Sequence, residues 1–115
     1  MHTAVFHIDL EQEERLRIGL NNVTNLLKAL DGAPADLVMI FNGPGAKLLV
    51  GEHIQGFLEQ ITALQGLGVA FKVCRNALEA AAIADNQIPS GFTVVPASIV
   101  TLIELQQKGY AYIKP

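Results

Sequence analysis

The 115-residue chain has no tryptophan, a single cysteine and only 17% charged residues. One cysteine excludes an internal disulfide, and with it a disulfide-stapled secreted scaffold. The basic residues form no run and no helix face, and the net charge is -3. Phosphate contacts need clustered Lys and Arg, so the composition argues against nucleic acid as a direct partner. No apolar stretch approaches the roughly 18 residues that a membrane span needs, which argues against a membrane partner. His2, His7 and His53 are scattered and show no metal-ligand spacing. There is no Gly-x-Ser-x-Gly elbow. The opening "MHTAVFHIDLEQEE" turns acidic where a secretion signal stays apolar. With the lone thiol, this leads us to expect a cytoplasmic protein.

What the chain does have is apolar residues, at half of its length, and a mean hydropathy of +0.34. A domain this small has much surface to cover. Part of that surface is therefore expected to be hidden in a homo-oligomer. The length favours one domain over residues 1–115, with a core that needs neither disulfide nor metal.

Two patterns alternate along the chain. Strands are expected at Thr3–Ile8, Asp36–Phe41, Val69–Val73, Phe92–Val95 and Tyr110–Ile113. Between them run stretches with helical spacing. Asp9 reads as the cap of the first helix, with Gln12 three residues on and Glu11, Glu13 and Glu14 in the first turn. Its apolar face is Leu16, Leu20, Val23, Leu27 and Leu30, and Asp31-Gly32 ends it. Ile54, Phe57, Leu58, Ile61 and Leu64 form a second apolar period, closed by Gly66 and Gly68. An alanine-rich helix runs from Cys74 to about Ala84, and a last helix is expected with Pro96 at its first position. The pattern predicts a three-layer αβα sandwich with a mostly parallel five-stranded sheet. It fits both a flavodoxin-like strand order and one with the last strand beside the first.

Ligands of open α/β sheets bind outside the carboxyl ends of the strands. Those ends are Asp9, Asn42-Gly43, Cys74 and Val95-Pro96. Cys74 also stands at or just before a helix N-terminus, where free amides and the helix dipole favour an anion, and Arg75 follows it. These features favour thiolate. Against them, free cysteine is among the most buried residue types and often only fills space. Asn76 reads as a helix cap, with Glu79 as its capping-box partner. "NGPGAK" (Asn42–Lys47) lacks both the spacing and the hydroxyl of a phosphate loop and reads as a tight turn whose glycines leave room near Cys74. His53 at a helix start is a candidate base for Cys74, and His7 is expected to be packed or at an interface. Leu48, Leu49, Val50, Tyr110 and Tyr112 are read as subunit contacts or as ordinary core.

"VCRNALEAAAI" after a strand, followed by "VVPASIVTLIELQQKGYAYIKP", resembles the DsrE/DsrF-like family of small sulfur-relay proteins. The "VFHID" opening and the "NG" after the second strand fit as well, and the resemblance spans essentially the whole chain. It implies a three-layer α/β fold, oligomers such as trimers or hexamers, and a cytoplasmic setting. Cysteine-bearing members carry sulfur as a persulfide and pass it to a partner, and their relay cysteine follows the third strand, as Cys74 does. Many members have a histidine before the glycine after strand two, where this chain has Asn42. Asp9 and Lys114 sit where a phospho-receiver domain has an acid and a lysine, but Cys74 stands in place of the phosphorylated aspartate.

The expected function is a sulfur relay, at most sulfurtransferase-like, with Cys74 as the carrier. Arg75, Asn76, Asn42 and Gly43 are the supporting candidates, and sulfur donor and acceptor proteins are the partners. Such a carrier needs no metal or organic cofactor. The alternatives are a non-catalytic oligomeric binding module with a structural cysteine, and a redox-sensing cysteine.

Overall fold

A computed structural model describes all residues, Met1–Pro115. Five strands form one sheet: β1 (His2–Ile8), β2 (Ala35–Phe41), β3 (Ala70–Cys74), β4 (Thr93–Val95) and β5 (Ala111–Ile113). Their order is β4-β3-β2-β1-β5 and every pairing is parallel. The last strand therefore lies beside the first, and the flavodoxin-like order is excluded. β1 and β2 are central and apolar on both faces, as covered parallel strands must be.

The two faces are covered unequally. On one face Phe6, Ile8, Met39, Phe41, Phe71 and Val73 pack in a cluster of 23 buried residues. Helices α1 (Glu13–Leu30), α2 (Gly51–Gln55), α3 (Leu58–Gly66) and α4 (Arg75–Ala80) contribute to that cluster. The other face carries α5 (Ser98–Gln107), whose Leu102 and Leu105 meet Val5, Val38, Ile40 and Val95 in a cluster of 6. The α/β architecture holds, with one thick helical layer and one thin one.

Several local expectations give way to tertiary contacts. Asp9 does not cap α1. Its carboxylate pairs with Lys114 Nζ at 2.5 Å, and α1 starts at Glu13 with no side-chain cap. Asn42-Gly43 opens a 3-10 helix, Gly43–Leu49, where a turn was expected. Ala46, Leu48 and Leu49 in it are fully buried, so Leu48 and Leu49 are core. The period from Ile54 to Leu64 spans two helices, with the break at Gly56-Phe57. α4 ends at Ala80, because the chain turns back through Ala82 (φ 54°) to bury Ile83. Pro96 precedes α5, because Ala97 is extended and Ser98 is the first helical residue.

Gly45 is where the 3-10 helix lies against the end of β1. A Cβ there would stand 2.4 Å from the Ile8 carbonyl oxygen, which is backbone and cannot rotate away. Gly45→Ala is expected to destabilise the fold by about 1–3 kcal/mol in denaturant melts. Gly66→Ala, with open space around its Cβ, is expected to change stability by less than about 1 kcal/mol.

Candidate functional site

Cys74 ends β3 and is the N-cap of α4, so its sulfur sits where α4 has unpaired amides. Because β4 pairs with β3 (Cys74 against Val95), the helix after β4 begins beside the same sulfur. The Ser98 N–H, first in α5, donates to Cys74 Sγ at 3.4 Å. Two helix N-termini thus converge on one thiol. The thiol is only 3% exposed. Burial pushes it up, whereas the Ser98 side chain, the Ser98 N–H and the Ala77 and Asn76 N–H groups pull it down further, leaving it below its ordinary value. The Ser98 hydroxyl is buried with no partner of ordinary hydrogen-bond geometry, so it is free to turn its proton toward the sulfur. Such a site holds a thiolate, or any anion built on the sulfur, without a cationic side chain.

The supporting candidates fare differently. Arg75 turns away from the thiol and grips Asp85 with two bonds, 2.6 and 2.9 Å. Its charge is spent on tying down the chain after α4. Asn76 lies inside α4 and its side chain caps nothing, so the Asn76–Glu79 capping box does not form. What Asn76 gives the sulfur is its backbone N–H. Asn42 ends β2 and accepts from the Gly43 N–H at 2.8 Å, while its own N–H bonds Ile8 O. Asn42 and Gly43 (φ 51°) shape the floor beside β1, and no hydrogen bond joins them to Cys74.

His53 does not pair with Cys74. It bridges Glu13 (2.6 Å) and Glu11 (3.2 Å) on the far side of the 3-10 helix. The Glu13 bond, then the Glu11 bond, raises its pKa. His7 is packed, as one of its two readings had it. Its Nδ1 meets the Tyr112 hydroxyl at 2.7 Å, while Nε2 is buried without a partner. Tyr110 bonds Asp36. Two cavities, of about 500 and 520 Å³, are lined around Thr24–Leu67 and around His53, and neither of these includes Cys74.

Sequence reasoning missed Ser98. It noted the Pro-Ala-Ser segment but gave it no role, since only the β4–β3 pairing brings that segment to the sulfur.

Two outcomes follow from this geometry. Ser98→Ala should move the Cys74 titration to higher pH, read from the pH dependence of alkylation, whereas Arg75→Gln should leave it in place. The reverse pattern would contradict the assignment of donors. For His53, a folded pKa raised above the unfolded value of about 6.5 means stability that is complete below that pH and lost as pH rises through the folded pKa. The melting-temperature advantage of the natural chain over His53→Gln should therefore be largest near pH 6 and fade in alkali.

Comparison with known proteins agrees with this fold. MTH1491 from Methanobacterium thermoautotrophicum, a protein of unknown function, is 28% identical over all of both chains, with a TM-score of 0.88. The ychN protein from E. coli shares the fold at 18% identity over all of both chains (TM-score 0.76). BT1422 from Bacteroides thetaiotaomicron, also of unknown function, shares it at 14% identity over 97% of this chain and 93% of its own (TM-score 0.72). No functionally curated protein matches the chain. The family model for the DsrE/DsrF-like family matches residues 3–115, and the chain belongs to that family.

Proposed function

We propose that the protein is a sulfur carrier that holds a persulfide on Cys74. The observation that carries this reading is the set of donors on the sulfur: the Ser98 N–H at 3.4 Å and the first amides of α4. The Cys74 thiolate attacks the outer sulfur of a donor persulfide, R–S–SH. A bond forms from Sγ to that sulfur and the donor S–S bond breaks. The donor leaves as the thiolate R–S⁻, and Cys74 keeps the sulfur as Cys74–S–SH. The step is thiol exchange, with no external oxidant or reductant. It runs only where thiols stay reduced, which fits the cytoplasm. Membership of the DsrE/DsrF-like family supports the same reading.

The carrier works as a homo-oligomer, a trimer or a hexamer. Ile99, Val100 and Ile103 on the outer side of α5 are about half exposed, as is Tyr112 on the same sheet face. The thin helical layer leaves this apolar surface uncovered.

A second reading is favoured by one observation, the near-complete burial of Cys74. In it the thiol is structural and the protein is a non-catalytic oligomeric binding module. Intact mass after brief exposure of the native protein to polysulfide separates the two. The carrier gains one sulfur atom, loses it to an added thiol, and gains none as Cys74→Ser. No gain, together with a thiol that resists a small alkylator, would leave only the binding module.

A further inference from the structure

The sulfur of Cys74 sits in a closed place. Cys74 is 3% exposed and Ser98 beside it is 1% exposed. Within that enclosure one polar group has no task. The Ser98 hydroxyl is buried and makes no hydrogen bond of ordinary geometry. Its own backbone N–H meets Sγ at 3.4 Å. Burial pushes the Cys74 pKa up, and the Ser98 side chain is the first of the groups that pull it down, so the hydroxyl faces the sulfur. A buried hydroxyl left unsatisfied is costly. The N–H already serves the thiol, which leaves the hydroxyl for an anion that extends one atom beyond Sγ. Ser98 is also the first residue of the ten-residue α5, whose N-terminus favours negative charge.

We propose that the sulfur donor for Cys74 is inorganic polysulfide, of which disulfane, HS–SH, is the smallest member. The inference rests on the carrier reading and names its donor. The Cys74 thiolate attacks one sulfur of HS–SH. A bond forms from Sγ to that sulfur and the donor S–S bond breaks. The electron pair leaves on hydrosulfide, HS⁻. The products are Cys74–S–SH and HS⁻, so atoms and charge balance without an oxidant or reductant. When the persulfide loses its proton, the outer sulfur accepts from the Ser98 hydroxyl.

The burial of Cys74 selects this donor. Thiol exchange aligns the attacking, transferred and leaving sulfurs, so the leaving sulfur stands at least about two S–S bonds, ~4 Å, from Sγ. An organic persulfide must bring its carbon chain to that distance from an enclosed atom. Polysulfide has no chain to place there. A larger donor enters only when the first turn of α5 lifts. α5 meets the sheet through a small cluster, with Leu102 and Leu105 as its buried contacts. The reverse step passes through the same arrangement. A bulky thiol is therefore as hindered in removing the sulfur as a bulky persulfide is in delivering it, and hydrosulfide is hindered in neither.

The test follows loading of the natural chain by intact mass with two donors, sodium disulfide and glutathione persulfide. Each rate is divided by the rate of the same donor on the urea-unfolded chain, where Cys74 is open. This removes the donors' own difference in reactivity. The native-to-unfolded ratio is expected to be at least about tenfold lower for glutathione persulfide, because access limits it. Ser98→Ala should lose the loaded sulfur to hydrosulfide at least about threefold faster than the natural chain, having one donor fewer for the outer sulfur. Equal ratios for the two donors would overturn the proposal and leave the carrier reading standing. So would a Ser98→Ala protein that holds its sulfur as long as the natural chain does. Failure of the natural chain to load from either donor would instead overturn the carrier reading, and this inference with it.

Discussion

The hydrogen bond from the Ser98 N–H to Cys74 Sγ is the contact on which this account depends. It exists because β4 lies beside β3, with Val95 opposite Cys74. Each strand feeds a helix at the same end of the sheet. Adjacent strands therefore place two helix N-termini within reach of one side chain. The donors are backbone groups held by the helices, so they need little reorganisation when the sulfur takes up charge. A lysine or arginine could supply charge too, but here Arg75 is already paired with Asp85.

That contact also links the two faces of the sheet. Cys74 belongs to the large core with Val73, Ala77 and Leu78. Ser98 begins the one helix on the thin side. Anything that shifts α5 alters the electrostatics of the sulfur, and anything docked on the outer face of α5 is positioned to do so. The apolar residues there, Ile99 and Val100, follow Ser98 directly. In the proposed carrier, the assembly face and the sulfur are therefore neighbours.

Much of the fold was legible in the sequence because its signals are local and repeated. The runs at Thr3–Ile8 and Asp36–Phe41 are apolar enough to mark central strands, and the Leu16-Leu20-Val23 stripe marks α1. Cys74 was legible as a strand end followed by a helix. The failures share one cause: a tertiary partner outbid a local one. Asp9 matched a cap signal but went to Lys114, 105 residues away. Arg75 went to Asp85 and His53 to two glutamates. The His7–Tyr112 pair depends on β5 lying beside β1, which the pattern left open between two arrangements, and Ser98 depends on a strand pairing and an interstrand contact that no local signal marks.

The central claim is that the sulfur held on Cys74 is stabilised by the first amides of α5 and α4. Its most direct test is the backbone amide spectrum of the isotope-labelled protein before and after loading with polysulfide. The account predicts that the Ser98 and Ala77 amide resonances move on loading and return when a thiol removes the sulfur. Amides at the opposite end of the sheet, at Ala33 and Ala35, should stay in place. A protein that gains the sulfur while the Ser98 amide does not move would contradict the account.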